Sequence, residues 1–327
     1  MAKKTQDLKP DTVLKNYWND NEQFADLFNA VLFEGRQVIK PDELENEDTE
    51  ESSVLEHRDY AESIRASRDN IKIHKKSFIH GVQFVLLGLE HQERIHYAMP
   101  MRVMGYDYSS YKKQYDSNAR KYKTADGMDD DEYLSKMKRT DKFMPVVTII
   151  VYYGEKPYDG ATTLQGMLSI SDEMKNLVND YKIRLVEARE NKLTLHNMNN
   201  RDLFNLLQIV LDNTIPKKEA REKAIQYSRE HKIDKSVIMT VAGAANMKLD
   251  YNALVEKGVG DMCTLFEEIA KENEIKGKAE GEAKGIIKML EKYNVSDDNI
   301  VKELVSELEI SIIAAKEYLN KYRQGIL

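Results

Sequence analysis

The fold of this chain depends on a nearly continuous apolar run that ends in polar residues, Val82-Gln83-Phe84-Val85-Leu86-Leu87-Gly88-Leu89-Glu90-His91-Gln92. A run of this kind is typical of a central β-strand that is covered on both faces. A second run, at 145–154, is rich in β-branched and aromatic residues and predicts the strongest strand of the chain. Alternating polar and apolar residues at 69–73 and a short run at 181–186 predict two more strands.

The segments before, between and after these strands have the apolar spacing of helices. Apolar residues three and four apart occur at 11–33, with a break at Asn19-Asp20-Asn21, and 97–123 also has helical character. Beyond residue 195 the pattern is helical to the end. We therefore predict an α+β chain, with a small mixed β-sheet flanked by helices and followed by an all-helical C-terminal region. The predicted domains are 1–195, 196–275 and 276–327.

Two kinds of segment lie outside this pattern. Gly277, Gly281 and Gly285 recur every four residues. They indicate either a loosely helical linker or a face that lets another helix approach closely, which would allow homo-oligomers through the C-terminal helices. The acidic stretches 42–51 and 126–131 show no periodicity, and we expect both to be exposed loops.

Composition limits the function further. The 49 Lys and Arg residues against 56 Asp and Glu residues give a net charge of -7, which argues against a protein that coats nucleic acid through bulk positive charge. Cys263 is the only cysteine, which excludes an internal disulfide and a cysteine-based zinc cluster. The longest apolar runs fall far short of the ~20 residues of a membrane-spanning helix. The N-terminus lacks an apolar stretch, so we expect a cytoplasmic protein without a signal peptide.

Polar residues at the predicted strand ends form the first candidate site. Glu90 and Gln92 share one face of their strand, because residues i and i+2 point to the same side, and Asp69 opens the preceding strand. If the two strands pair, the carboxylates of Asp69 and Glu90 converge. Mg²⁺ accepts one or two carboxylates together with water and phosphate oxygens. The alternative is that both acids simply end strands at the protein surface.

The predicted helix at 97–123 carries a second candidate feature. Arg102, Tyr106 and Gln114 recur at helical spacing on one face, and 111–123 contains five basic residues, among them Lys112 and Lys113, against a single acid. A basic segment with interleaved tyrosines can hold a phosphate backbone. The alternative is a solvated helix face with half-buried tyrosines.

Three common nucleotide-binding and zinc-protease motifs are absent from the sequence. It contains neither a GxxxxGK[ST] loop nor a GxGxxG strand turn, which excludes the common nucleotide-binding motifs. His91 and His96 are five residues apart and do not have the HExxH spacing of a helical zinc protease.

Several stretches together resemble one known family. Four stretches are similar to the signature run of the Rpn/YhgA-like family of transposase-like proteins and recombination-promoting nucleases in the PD-(D/E)XK superfamily: Arg68-Asp69, 85–92, 95–102 and Tyr106-Asp107-Tyr108. The strand and turn at 146–157, the helix at 24–29 and the glycine-containing segment 276–285 resemble further parts of that family. The likeness covers nearly the whole chain, and 87–102 is its most specific part.

The resemblance implies a restriction-endonuclease-like fold in which acids from adjacent strands hold a metal ion. It assigns the metal to Asp69 and Glu90, with Asp26 as an additional acid from a helix. It assigns a catalytic position to Gln92 and a supporting role to Gln114. The implied function is a metal-dependent DNA endonuclease that hydrolyses phosphodiester bonds with Mg²⁺, or with Mn²⁺ as the alternative ion.

One departure from the family pattern concerns Gln92, which stands where the superfamily has a lysine. A glutamine can hydrogen-bond a water molecule but supplies no charge. Either Gln92 suffices, or a nearby cation such as Lys72 substitutes, or activity is weak. The alternative function is therefore a catalytically weak nuclease-fold protein that binds DNA or a partner protein.

Overall fold

The computed structural model describes residues 9–46, 50–56, 61–67, 70–78, 81–92, 94–122, 124, 127–190, 192–245, 247, 262–293, 295–308 and 310–325. The chain divides into two compact units, Met1–Met262 and Cys263–Leu327. Helices supply most of the regular secondary structure, a small sheet lies in the first unit, and the C-terminal region is helical, as the sequence predicts.

In chain order, the α-helices among the described residues are α1 (Pro10–Trp18), α2 (Asn21–Phe33), α3 (Met99–Lys121), α4 (Asp130–Ser135), α5 (Met198–Val210), α6 (Lys217–Glu230), α7 (Lys235–Ala244), α8 (Met262–Lys292), α9 (Asp297–Leu308) and α10 (Ile312–Arg323). The strands are β1 (Leu44–Asn46), β2 (Glu50–Glu56), β3 (Ala61–Ser67), β4 (Asn70–Phe78), β5 (Gly81–Gln92), β6 (Val146–Tyr152) and β7 (Arg184–Glu187).

The main sheet mixes antiparallel and parallel pairs in the order β1-β4-β5-β6-β7. The pairs β1–β4 and β4–β5 are antiparallel, whereas β5–β6 and β6–β7 are parallel. Parallel neighbours need a crossover of a dozen or more residues, and α3 lies in the crossover between β5 and β6. The strands β2 and β3 form a separate antiparallel hairpin.

The break between α1 and α2 lies where the sequence predicts it. The Asp20 carboxylate oxygen Oδ1 accepts hydrogen bonds from the backbone N–H groups of Glu22 and Gln23, at 2.8 and 3.2 Å. These bonds satisfy donors that the first turn of a helix leaves unpaired, so Asp20 is the N-cap of α2.

The core of the first unit brings together residues that are far apart in the chain. Trp18 at the end of α1 is completely buried, and its Nε1 donates a hydrogen bond to the hydroxyl of Tyr153 at 3.0 Å. The Trp18 ring also packs edge-on against Phe204 of α5, with 6.4 Å between the ring centroids. The indole therefore contacts both the segment that follows β6 and the helical region after the sheet.

The prediction that 42–51 is an exposed loop is wrong. Leu44–Asn46 forms β1, which pairs with β4 through Leu44 and His74, and Leu44 is buried. A three-residue strand is too short to show a period in the sequence, and its partner lies about thirty residues away in the chain. Its formation therefore depends on the tertiary pairing.

The second acidic stretch, 126–131, includes the start of a helix. The Asp129 side chain accepts a hydrogen bond from Glu132 N at 2.8 Å, while the Glu132 side chain accepts one from Asp129 N at 3.4 Å. This reciprocal pair is a capping box, and acids in the first turn of α4 interact favourably with the helix dipole. The acidic residues that predicted a loop therefore include the N-cap and the first turn of α4.

In the second unit, the end of α8 packs with α9 and α10. Ala283 and Ile287 of α8 meet Ile300 and Leu304 of α9 and Leu319 of α10 in one buried cluster. Ser311 caps α10 by accepting a hydrogen bond from Ala314 N at 3.2 Å. No helix among the residues that the structure describes is long and apolar enough to cross a membrane.

The buried hydroxyl of Tyr17 makes the stability of the core depend on pH. Its hydroxyl donates to Asn200 Oδ1 at 3.0 Å, and burial raises the pKa of Tyr17 well above its ordinary value of 10.0. The unfolded chain therefore loses this proton first, and the stabilisation that is present below the ordinary pKa is lost as the pH rises past it. We expect the free energy of unfolding to fall above about pH 10, and Tyr17→Phe to flatten that fall.

The measurement is urea denaturation at a series of pH values from about 8 to about 11. Tyr133→Phe is the matched control, because Tyr133 is 39% exposed. If Tyr17→Phe and Tyr133→Phe leave the same pH dependence as the unsubstituted chain, Tyr17 is not protected in the way the structure describes.

Gly281 tests the alternative interpretations of the glycine segment. It lies inside α8, and among the residues that the structure describes no atom outside the local helix lies within 4 Å of the place where a Cβ would sit. We expect Gly281→Ala to raise the free energy of unfolding by up to about 1 kcal/mol, because alanine has the higher helix propensity. Thermal denaturation and light scattering measure stability and mass. A loss of stability together with a smaller mass would instead indicate that this face packs against a second copy.

Candidate functional site

The candidate site lies at the edge of the sheet where three strands end. Because β5, β6 and β7 run parallel, their carboxyl ends meet at the same edge. The register pairs Glu90 with Ile150, Gln92 with Tyr152, and Tyr152 with Glu187. In open sheets with parallel strands, ligand sites form outside this edge.

A carboxylate and a guanidinium lie beside two tyrosines at this edge. Glu187 Oε2 accepts a hydrogen bond from Tyr158 N at 3.1 Å and lies 3.5 Å from Arg189 Nε. The Arg189 Nε is buried, and its contact with the Glu187 carboxylate is an ion pair without a hydrogen bond at that atom. The rings of Tyr152 and Tyr158 meet edge to face, with centroids 5.5 Å apart. The edge therefore offers a neutral hydroxyl pair next to an ion pair.

Gly154 allows Tyr152 to take this position. The Tyr152 side chain folds back over the turn after β6, and a Cβ on Gly154 would lie 2.0 Å from the Tyr152 hydroxyl oxygen. Real Cβ atoms do not approach this closely, so any other residue at 154 would require the Tyr152 ring to move. The glycine that follows the two tyrosines in the sequence is thus explained by the packing at the carboxyl edge.

The Tyr152 hydroxyl keeps its proton at neutral pH. Burial raises the pKa of Tyr152, and the nearby carboxylates of Glu187 and Asp159 raise it further, while Arg189 opposes them. A protonated phenol can donate one hydrogen bond and accept others. Tyr152 therefore acts at this edge as a neutral hydrogen-bonding group and not as a base.

The three residues predicted to carry the chemistry lie only partly within the described structure. Asp69 lies outside the described residues. The backbone of Glu90 and Gln92 forms the end of β5, and nothing is described of their side chains. The antiparallel ladder between β4 and β5 begins with Asn70 opposite Leu89, so the start of β4 lies beside the end of β5.

Asp26, the predicted helix acid, is held in the core. It is 4% exposed, and its Oδ1 accepts a hydrogen bond from His196 N at 2.8 Å. Its Oδ2 accepts one from Asn200 Nδ2 at 3.0 Å. Both oxygens therefore bind protein donors that attach α2 to the start of α5, and these donors occupy positions that a metal ion would need.

Lys72 lies in a closed cage of neutral oxygens. Its Nζ donates to Asn19 O at 2.9 Å, Asn21 Oδ1 at 2.7 Å and Asn46 Oδ1 at 2.6 Å, which uses all three N–H groups. It also lies 5.3 Å from the centroid of the Phe24 ring. Burial lowers the pKa of Lys72 below its ordinary value. The side chain holds the α1–α2 turn against β1 and β4.

Gln114 supports the sheet from α3. Its Oε1 accepts a hydrogen bond from Met144 N at 2.7 Å, and its Nε2 donates to Met144 O at 3.2 Å. The side-chain amide therefore pairs with a backbone unit just before β6, in the manner of a neighbouring strand. Gln114 fixes the entry into β6.

The remaining predicted residues lie on α3 in two groups. Arg102 donates from Nε to the hydroxyl of Tyr106, one turn along the helix. Lys112 forms an ion pair with Asp116, also one turn along. Tyr106 is buried, whereas Lys113 is exposed. Arg102 and Lys112 thus each have a partner one turn along α3, and the Lys113 side chain is exposed.

A buried carboxylate that the sequence interpretation missed lies on the same helix. Asp107 is 7% exposed and accepts a hydrogen bond from Thr148 Oγ1 of β6 at 2.7 Å and another from the hydroxyl of Tyr181. Thr148 is the register partner of Gly88 on β5. Asp107 lies in Tyr106-Asp107-Tyr108, one of the stretches that resemble the family. The spacing of acidic residues along α3 does not distinguish a buried Asp107 from an acid at the surface.

The described residues do not by themselves make a metal centre. Within 9–46, 94–122, 127–190 and the other described ranges, no three His, Cys, Asp or Glu side chains are placed to hold an ion. The donor chemistry of Asp69 and Glu90 fits Mg²⁺, since both supply hard carboxylate oxygens. Asp26 fits less well, because both of its oxygens accept hydrogen bonds.

Comparison with known proteins identifies no relative: no family model, no curated protein and no solved structure matches this chain. The resemblance to the Rpn/YhgA-like family therefore rests on its motifs alone.

The contact of Asp107 with Tyr181 gives a test of the link between α3 and the sheet. Removing one partner of a buried charge-assisted hydrogen bond leaves the other without its partner. We expect Asp107→Ala and Tyr181→Phe to show a coupling energy of about 1–2 kcal/mol in a double-mutant cycle measured by urea denaturation. Tyr158→Phe combined with Asp107→Ala is the control and should be additive, because no contact joins those side chains. Additivity in both cycles would contradict the observed bond.

Proposed function

We propose that this chain is a cytoplasmic, Mg²⁺-dependent DNA endonuclease of the PD-(D/E)XK type, with a restriction-endonuclease-like core. The observation that carries the proposal is the pairing of β4 with β5. Asn70 is opposite Leu89, which brings the start of one strand beside the end of the next. Acids from adjacent strands are what the family resemblance implies, and Asp69 and Glu90 are the residues next to this pair in the sequence.

The sheet topology supports the same proposal. The end of β5 lies between an antiparallel neighbour, β4, and a parallel neighbour, β6. In open sheets with parallel strands, ligands approach residues at this edge. Tyr152 and Glu187 lie at the same edge, where Tyr152 is buried and the Glu187 side chain is 21% exposed beside Arg189.

In this proposal Asp69 and Glu90 hold the metal ion and Gln92 orients a water molecule through its amide. When bound, Mg²⁺ would supply Lewis-acid stabilisation of the phosphate charge and a more acidic water. The role of Asp26 as a further ligand stays a prediction, and the proposal does not depend on it. Lys113, exposed on α3, contributes in this proposal to attraction of the DNA backbone through its charge.

A second candidate is a nuclease-fold protein that binds DNA with little catalysis, and one observation favours it. Lys72, named above as one cation that could substitute for the missing lysine, uses all its donors on neutral oxygens in a buried cage. It therefore has no N–H group left for a water molecule or a phosphate. If Gln92 alone does not activate the attacking water molecule, the protein would bind DNA without cleaving it.

Nicking of supercoiled plasmid DNA separates the two candidates. We expect cleavage with Mg²⁺ or Mn²⁺ that EDTA abolishes and that Asp69→Asn and Glu90→Gln each reduce by about a hundredfold or more, because the metal loses a carboxylate. Asp131→Asn is the matched control, an exposed acid in the first turn of α4, and should cleave normally.

The same variants are tested for DNA binding by fluorescence anisotropy. Binding without nicking in the unsubstituted chain, with activity gained in Gln92→Lys, would favour the second candidate. Nicking that is unchanged in both Asp69→Asn and Glu90→Gln, with unchanged unfolding curves, would exclude the proposed site.

A further inference from the structure

Helix α3 carries apolar side chains on two opposite faces. On one face Val103 joins a buried cluster with Ile150 of β6. The opposite face holds Met101, Met104 and Tyr108, whose spacing of three and four residues places side chains on one side of a helix. A helix that covers a sheet ordinarily has a polar outer face. Large apolar side chains there are typical of a binding surface.

Tyr97, in the turn before α3, precedes Met101 by four residues and extends this surface. The exposed fractions are 65% at Tyr97, 54% at Met101, 37% at Met104 and 45% at Tyr108, and we call these four residues the outer α3 face. The turn lies at the carboxyl edge of the sheet, because the hydroxyl of Tyr158 donates a hydrogen bond to His96 O at 3.4 Å. The outer α3 face therefore begins at the edge to which the proposed nuclease site belongs.

The charges around the outer α3 face suit a polyanion. Between residues 94 and 115, all of which the structure describes, the only carboxylate is Asp107. Asp107 is buried, and it accepts a hydrogen bond from Thr148 Oγ1 at 2.7 Å. Arg94 and Lys113 are exposed. This segment therefore presents positive charge and no exposed acid, in a chain whose net charge is -7.

Single-stranded DNA has both properties that such a surface would bind. Its unpaired bases stack on aromatic side chains, and its phosphates are attracted by cations. In a duplex the bases are enclosed in the stack, and an exposed apolar face has little to contact. Met101 and Tyr108 are seven residues apart, or about 10 Å along the helix, which is about three times the rise per nucleotide of a stacked strand.

We propose that the outer α3 face stacks unpaired bases, and that the DNA substrate of this chain is single-stranded. Tyr97 and Tyr108 provide the rings for stacking, and the two methionines fill the surface between them. The bound strand leads along α3 to the end of β5. The choice of DNA rests on the proposed nuclease function, whereas the preference for unpaired bases rests on the outer α3 face.

Fluorescence anisotropy of the full chain in EDTA measures this preference without cleavage. The probes are a labelled single strand of about 15 nucleotides, which is long enough for one single-strand binding site, and the same strand in a blunt duplex. At about 150 mM salt, where attraction to phosphate is partly screened, we expect the single strand to bind at least about tenfold more tightly than the duplex.

Four variants locate the contact. Tyr97→Ala and Tyr108→Ala should each weaken single-strand binding about tenfold, because each removes a ring on which a base stacks, and should change duplex binding little. Tyr108→Phe keeps the ring and should bind like the unsubstituted chain. Tyr293→Ala is the matched control, since Tyr293 is 72% exposed in the other compact unit, and it should also keep the affinity.

Several results would overturn the proposal. Equal affinity for the single strand and the duplex would do so, as would equal losses in Tyr108→Ala and Tyr293→Ala. An equal loss in Tyr108→Phe and Tyr108→Ala would assign the contact to the hydroxyl and exclude stacking.

Other occupants of the outer α3 face would also overturn it. A mass of two chains in light scattering that Tyr108→Ala reduces to one would assign the face to a second copy. Sedimentation with vesicles of phosphatidylcholine and phosphatidylserine that Tyr97→Ala abolishes would assign it to a membrane surface.

The two proposals can fail separately. A preference for the single strand in EDTA, together with no nicking by the unsubstituted chain, would support the outer α3 face and reject the nuclease function. Metal-dependent nicking together with equal affinity for both forms of DNA would support the nuclease function and reject the stacking surface.

Discussion

Asn200 on α5 is completely buried, and its side chain joins elements that are far apart in the chain. Its Nδ2 donates to Gln23 O at 2.8 Å and to Asp26 Oδ2 at 3.0 Å, while its Oδ1 accepts from the Tyr17 hydroxyl at 3.0 Å. These contacts span 174 to 183 residues. A buried amide and a buried carboxylate are tolerated only when their polar atoms are hydrogen-bonded. The helices α1, α2 and α5 therefore have to adopt their positions together. The sheet lies between these elements in sequence and depends on the same arrangement.

That arrangement explains why acids of similar sequence context have different roles. Asp26 is part of the network that holds α2 to α5, and Asp107 holds α3 to β6 and Tyr181. Glu187 lies at the carboxyl edge, where it meets Arg189 at 3.5 Å. Carboxylates that accept several protein hydrogen bonds, such as Asp26 and Asp107, hold elements together. On this basis the proposed chemistry belongs to the strand ends, with Glu90 on β5, and the helix acids support the fold around them.

The parts of the fold that the sequence predicted are those with a local cause. The helix break at Asp20 was predictable, because an N-cap acts on the next three residues. The strand β5 was predictable, because an apolar run of that length has few alternatives. The strand β1 was not, since Leu44 becomes buried only when it pairs with β4. The placement of Gln114 against Met144 was also missed, because a side-chain amide that pairs with a distant backbone unit leaves no sequence period.

The sequence by itself determined the helices, the principal strands, the absence of a disulfide and the set of polar residues from which a site could be built. Only the tertiary structure decided which of those residues are committed to the core. Lys72 and Asp26 look available in the sequence, yet each is buried with its hydrogen-bonding groups engaged. Gln23 looks like an ordinary helix residue, yet burial leaves its side-chain oxygen without a donor. The physical reason is that helix and strand propensities act over a few residues, whereas the burial and pairing of a polar group depend on neighbours that the folded chain brings from far along the sequence.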